Sequence, residues 1–123
     1  MPEEQGYKPT EAMKSAAQRG LDLRAEYGRG GTAVGVARAR DIINGKNLSA
    51  KTVLRMYSFF ARHEVDKKAQ GFRQGEKGYP SAGLIANLLW GGKPAETWSK
   101  RIRDRIMRER SAIRYAYLVR KQP

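Results

Sequence analysis

Apolar segments with helical periodicity, separated by capping residues and glycine clusters, constrain the fold of this chain more than any other feature. Between the clusters, apolar residues recur three or four positions apart, as they do on one face of an α-helix. No run of four residues shows the alternating β-branched pattern, bounded by turns, that is typical of a half-buried strand. The pattern therefore predicts an all-α protein of about five helices.

Capping residues predict where these helices begin and end. Thr10, Ser49 and Ser81 suit N-cap positions, because a hydroxyl oxygen accepts a hydrogen bond from an unpaired N–H group of the first turn. Gly28, and the sequence NGKN at 44–47, favour the left-handed backbone that ends a helix. The expected helices cover about 11–27, 33–43, 50–63 and 94–119, with a short buried helix within 79–92 that follows Ser81 and ends at Gly91 and Gly92. Residues 1–8 are expected to be a flexible N-terminus.

Length and composition fit one small domain. A chain of 123 residues buries roughly two-thirds of its unfolded surface, so residues 9–123 are expected to form a single helical domain. It needs no disulfide, and the sequence contains no cysteine. In the last helix, the apolar stripe is expected to face the core as far as Ile113 and Tyr117. The predicted core comprises apolar residues at helical spacing: Val53, Tyr57, Phe60, Leu84, Leu88, Trp90, Trp98, Ile102 and Ile106.

The net charge of +13 is distributed unevenly along the chain. Residues 1–30 carry five basic and five acidic residues, whereas residues 31–60 carry five basic residues against Asp41 alone. Residues 94–123 carry nine basic and three acidic residues. A field of this sign attracts polyanions such as nucleic acid or an acidic protein surface, although basic residues can also serve only to keep a surface soluble.

The helices expected at 33–43 and 50–63, joined by a turn that contains Gly45, are similar to a helix-turn-helix pair. The second helix places a basic or polar residue at each turn of one face: Lys51, Arg55, Ser58 and Arg62. The turn is slightly long for the motif, and Asp41 stands where the motif usually has a small alanine. A plain helical hairpin with a solvated basic face stays open as the alternative.

The predicted nucleic-acid contacts are basic side chains that could meet phosphates. Lys51, Arg55 and Arg62 form the central row, and a second basic face lies on the last helix at Arg101, Arg105 and Arg108. Phosphate contacts give salt-sensitive binding with little sequence preference, and double-stranded DNA is expected ahead of RNA. The residues expected to flank the central row are Arg38, Arg40, Lys46, Lys67 and Lys68.

Two further motifs favour structural roles. The glycines of GRGGT at 28–32 could approach a phosphate, but no phosphate-loop pattern surrounds them, so a connector between helices is favoured. In HEVD, His63, Glu64 and Asp66 are residue types that bind zinc or iron. The sequence has no second histidine and no thiol, so we expect the His63 ring to pack or to cap a helix, and we expect no metal or cofactor.

The sequence GVARARDIINGKNLSAKTVLRMYSFFARHEVDKK at 35–68, followed by GEKGYPSAGLIANLLWGG at 75–92 and by Trp98, resembles a small domain that recurs in tailed bacteriophages and prophages. That domain occurs alone or attached to head-morphogenesis proteins, including prohead protease-like proteins. The resemblance covers about residues 33–101, and the order FFARHEVDKK, GYPS, WGG carries it. It implies work in the cytoplasm of an infected bacterium or in virion assembly, without an established activity.

Together, charge and resemblance predict a phage-encoded nucleic-acid-binding protein in the host bacterial cytoplasm or on the virion. The alternative is a protein-interaction factor whose basic surface binds an acidic virion or host protein. An enzyme is not expected, because no Ser/His/Asp order, paired carboxylates or phosphate loop is present, and one histidine offers little general-base capacity. A membrane partner is not expected either, since no apolar run could span a bilayer and the start MPEEQ lacks the features of a signal peptide.

Overall fold

The computed structural model describes residues 6–121, which form five α-helices and one short 3₁₀ helix. In chain order these are α1 (Glu11–Tyr27), α2 (Ala33–Ile43), α3 (Ala50–Arg62), the 3₁₀ helix (Glu64–Lys68), α4 (Ala82–Leu89) and α5 (Gly92–Lys121). Within this described range there is no strand, and β-type pairing is limited to one isolated bridge. The prediction of a small all-α domain with five helices and a long C-terminal helix is confirmed.

The predicted caps are present. The hydroxyls of Thr10, Ser49 and Ser81 each accept a hydrogen bond from the backbone N–H three residues later, at 3.0–3.2 Å. Thr32, which was not predicted, caps α2 in the same way at 3.3 Å. Gly28 ends α1 with a φ of +63°, in the left-handed region that glycine adopts at low cost. These helix ends are therefore set by local hydrogen bonds that the sequence specifies.

Part of the predicted flexible N-terminus is held against the domain. Residues 1–5 lie outside the described residues, but Tyr7 exchanges two backbone hydrogen bonds with Leu48, at 2.7 and 2.9 Å. The guanidinium of Arg105, on α5, lies 5.5 Å from the centre of the Tyr7 ring. Tyr7 thus connects the segment before α1 to the loop before α3 and to α5, which corrects the expected flexibility at this residue.

The helices pack in two groups joined by α5. α1 packs against α2 and α4 and also touches α5, whereas α3 packs mainly against α5. α2 and α3 share little contact, because the buried side of α3, with Val53, Met56 and Phe60, is directed toward the core that it shares with α5. The pair is helix-turn-helix-like in sequence order but lacks the mutual contact of that motif. The space left between α3 and the α2–α4 group forms a groove.

Most of the predicted core is buried. Val53, Phe60, Leu84, Leu88, Trp98, Ile102 and Ile106 are each at most 7% exposed. Tyr57 and Trp90 are instead half-buried. The Tyr57 ring lies under the guanidinium of Arg103, 4.9 Å from the ring centre, and Trp90 stands at the edge of the groove. Aromatic rings therefore form the border of the core at these two positions.

The last helix leaves the core earlier than predicted. α5 begins at Gly92, and its side chains are buried at intervals up to Ile106. Ile113 and Tyr117, which were predicted to face the core, are 71% and 57% exposed. At about 1.5 Å per residue, a helix of 30 residues is roughly 45 Å long. The apolar periodicity therefore continues past the end of the core.

The GRGGT segment is a tightly packed connector, as favoured. Gly30 and Gly31 have φ values of +92° and +77°. A Cβ at Gly30 would lie 2.6 Å from Cβ of Ile85, and one at Gly31 would lie 2.3 Å from Cδ1 of Leu89. The two glycines allow the chain to turn while it lies directly on α4.

Candidate nucleic-acid interface

The central row of basic residues lies along one exposed side of α3. Lys51, Arg55, Ser58 and Arg62 are all exposed, and their spacing of four, three and four residues keeps them on the same side of the helix. Within residues 6–120, no carboxylate forms an ion pair with Lys51, Arg55 or Arg62. Three positive charges in a row are therefore available for an external anion.

Arg55, Ser58 and Arg62 also line the groove between α3 and the α2–α4 group. The groove has a volume of about 820 Å³. Its opposite wall contains residues at the N-terminal ends of α2 and α4, including the N-cap Thr32 and Gly83. Helix N-termini carry a partial positive charge, which favours an anion, whereas the carboxylate of Asp66, which also lines the groove, disfavours one.

An aromatic stack that lines the groove joins α3 to Trp90, the residue that follows α4. The rings of Phe59 and Trp90 are nearly parallel, with centres 4.6 Å apart, and the His63 ring stacks on Phe59 at 4.3 Å. The guanidinium of Arg38 lies 5.6 Å from the centre of the Trp90 ring. Stacking of this kind holds the C-terminal turn of α3 against α4, and with it the side that carries Arg55 and Arg62.

His63 has the structural role that was predicted for it. Besides stacking on Phe59, it occupies the C-cap position of α3, and its Nδ1 lies 2.9 Å from Oδ2 of Asp66. Within the part of the chain that the structure describes, no three His, Cys, Asp or Glu side chains are grouped so that they could hold a metal ion.

Two of the predicted flanking contacts are engaged inside the protein. Arg38 donates a hydrogen bond from Nη1 to Oδ2 of Asp41 at 3.2 Å, and its side chain is only 14% exposed. Lys67 donates from Nζ to Glu96 at 2.7 Å and to Glu64 at 3.1 Å. Both side chains therefore have internal carboxylate partners, and their contact with phosphate stays a prediction.

The pKa of Lys67 reflects this environment. Partial burial acts to lower the pKa of Lys67, but the hydrogen bonds and charges of Glu96 and Glu64 outweigh burial and raise that pKa above its usual value. On α5, hydrogen bonds from Lys100 and Arg103 lower the pKa of Asp104. These carboxylates are therefore balanced by cations outside the central row.

The remaining predicted contacts are exposed but do not all belong to one surface patch. Arg105 is exposed and covers the Tyr7 ring. The other five predicted contacts resemble the central row, because they have no ion-pair partner within residues 6–120. They lie on α2 and the turn after it, on the 3₁₀ helix, and on α5: Arg40, Lys46, Lys68, Arg101 and Arg108.

The groove itself was not predicted. Its walls bring together Thr32, Arg55, Gly83 and Trp90, which lie on three different helices or their caps. The cap sequences predicted the starts of α3 and α4, but nothing local to these segments specifies that the start of α4 faces α3. Phe59 and Trp90 are the sequence feature that comes closest to predicting the groove, since large aromatic rings at helix ends often pack against a neighbouring helix.

No family model, no curated protein and no solved structure matches the chain. Among the described helices, none combines the length and the apolar character needed to cross a membrane.

Proposed function

We propose that this protein binds nucleic acid, duplex DNA in the first instance, through phosphate contacts made by the row Lys51, Arg55 and Arg62. The observation that carries the proposal is that these three cations are exposed and aligned on one side of α3, and that none of them forms an ion pair within residues 6–120. A phage setting, in which DNA is an abundant polyanion, is part of the same proposal and rests on the resemblance of residues 33–101 alone.

The distribution of charge supports an anionic ligand at this row. Carboxylates of Asp41, Glu64, Glu96 and Asp104 are paired with cations elsewhere in the fold, so they do not neutralise the row. The groove beside the row adds the N-terminal ends of α2 and α4. A sugar–phosphate strand along this groove would meet the guanidinium groups of Arg55 and Arg62 on one wall and helix N-termini on the other, and it would have to pass the carboxylate of Asp66.

The proposed contacts predict weak sequence preference and strong salt dependence. In K51Q/R55Q/R62Q, three charges are lost while the apolar side of α3 is unchanged. Each phosphate contact contributes about 0.9 to the slope of log affinity against log salt for duplex DNA, so we expect the slope to fall by about two to three units. Fluorescence anisotropy with two unrelated duplexes across a salt series measures this slope, and both duplexes should weaken alike.

A matched control removes the same charge elsewhere. Lys8, Lys77 and Lys93 are exposed and lie outside the row and the groove, so K8Q/K77Q/K93Q should lower the slope by less than about one unit. Equal effects of the two triple variants would mean that binding is spread over the whole surface. Loss of binding in R101Q/R105Q/R108Q, with the row variant unaffected, would transfer the interface to α5.

A further inference from the structure

The C-terminal part of α5 extends beyond the rest of the domain. Every side chain from Arg108 to Arg120 is exposed, although the helix continues without a break to Lys121. We refer to residues 108–120 as the α5 extension. Ile113 and Tyr115 are each 71% exposed, and Leu118 and Val119 are 50% and 51% exposed. A helix of this length has marginal stability alone in water, so burial of these side chains by another molecule would stabilise it.

Apolar side chains occupy two opposite sides of the α5 extension. Ile113 lies seven residues after the buried Ile106 and continues the core-facing stripe. Tyr115, Leu118 and Val119 are three or four residues apart, and at 100° per residue they lie on the other side of the helix. A membrane surface would cover one side of the helix and leave the other in water, whereas a groove in a protein accepts anchors at positions i, i+3 and i+4, which is the spacing of Tyr115, Leu118 and Val119.

The charge of the α5 extension indicates the chemistry of the molecule that would enclose it. Its basic residues are Arg108, Arg110, Arg114 and Arg120, and its one acidic residue is Glu109. A second copy of this chain would bring the same positive charge, and the groove beside α3 carries Arg55 and Arg62. Like charges disfavour both forms of self-association. An acidic surface complements the arginines, and nucleic acid would leave the apolar side chains uncovered.

We propose that the α5 extension docks as a helix into an apolar groove with an acidic border on a partner protein. This is the helix-in-groove mode of recognition, in which apolar anchors enter the groove and arginines pair with carboxylates at its border. The docking surface is separate from the central row on α3, so one molecule could hold nucleic acid and a protein partner together. The proposal does not depend on the proposed nucleic-acid binding.

Calcium-loaded calmodulin is a suitable probe, because it is an acidic protein whose open apolar groove accepts basic amphipathic helices. Titration calorimetry with the full chain should show one-to-one binding with a Kd of about 10 μM or tighter. The variant I113A/Y115A/L118A/V119A keeps good helix formers at exposed positions, so it should fold normally and bind at least about tenfold more weakly. Calmodulin without calcium should bind poorly, since its groove is closed.

Control variants and alternative probes decide among the possible occupants. K51Q/R55Q/R62Q should bind calmodulin as the wild type does, which separates this test from that of DNA binding. Absence of calmodulin binding would overturn the proposal. Equal binding of polyglutamate, with no effect of the alanine variant on calmodulin binding, would also overturn it and would indicate attraction by charge alone. Self-association seen by light scattering and abolished in the alanine variant would instead assign the surface to a second copy. Vesicles of phosphatidylglycerol bound in place of calmodulin would assign it to a membrane.

Discussion

Basic residues of the same stretch have different roles because of the residues that surround them. Arg38 and Lys67 were expected to contact phosphate, but each lies beside carboxylates that the fold brings within 3.2 Å. Arg55 and Arg62 point into a groove where no carboxylate pairs with them within residues 6–120. The partner Glu96 lies 29 residues from Lys67, so helical spacing could not reveal the pair. A count of basic residues overestimates the charge that is free to bind.

Gly20 shows the same contrast between local and tertiary effects. Glycine inside a helix is less favourable than alanine by about 0.5–1 kcal/mol, so propensity alone predicts that G20A stabilises α1. A Cβ at Gly20, however, would lie 2.7 Å from the backbone nitrogen of Leu89, and backbone cannot move aside as a side-chain tip can. We expect G20A to lower the free energy of unfolding by about 1–3 kcal/mol, as overpacking does, in urea titrations.

The exposed Ser15 on the same helix provides the control for Gly20. S15A should change the free energy of unfolding by less than about 0.5 kcal/mol. If G20A proved as stable as the wild type or more stable, the close approach of α1 to α4 would be contradicted.

Among the elements, α5 has two parts with different environments. From Gly92 to Ile106 it contributes buried residues to the core, and from Arg108 onward every described side chain is exposed. The apolar repeat does not change at the boundary, because Ile106 and Ile113 lie seven residues apart on the same side. Sequence periodicity indicates which side of a helix is apolar and suited to burial. It does not indicate whether the surface that buries this side belongs to the same domain.

Ile106 and Ile113 provide a matched pair that tests this division. Ile106 is 5% exposed, whereas Ile113 is 71% exposed. Replacing a buried isoleucine with alanine removes apolar contacts and leaves a cavity, so I106A should lower the free energy of unfolding by about 2–5 kcal/mol. I113A should change it by less than about 0.5 kcal/mol, as measured by thermal and urea unfolding. Similar losses in the two variants would mean that the α5 extension packs against the domain.

For the molecule as a whole, the sequence predicted the helices better than their arrangement. Thr10, Ser49 and Ser81 act on backbone groups three residues away, so the ends of helices could be predicted from nearby residues. The separation of α2 from α3, and the groove that it creates, depends on which apolar sides meet across the core. Helical spacing shows which side of each helix is apolar but not which apolar sides meet, which is why the helix-turn-helix interpretation agreed with the sequence order but not with the contacts.

The net charge of +13 should also affect stability. Repulsion among exposed cations disfavours the compact state, and salt screens it because the Debye length falls from about 30 Å at 0.01 M to about 8 Å at 0.15 M. We expect Tm to rise over this range of sodium chloride, in differential scanning calorimetry. K51Q/R55Q/R62Q should show a smaller rise, because it lacks three of the repelling charges. A Tm that falls with salt in both proteins would indicate that internal ion pairs dominate.

The two tryptophans give the molecule an intrinsic fluorescence reporter. Trp98 is 5% exposed within the core, whereas Trp90 is half-buried at the groove. A soluble quencher such as acrylamide will lower the fluorescence of Trp90 and leave the fluorescence of Trp98 largely unchanged. Anything that occupies the groove will shield Trp90, while a molecule bound only to the α5 extension will not. Quenching of unlabelled protein can therefore tell which of the two surfaces a given partner occupies.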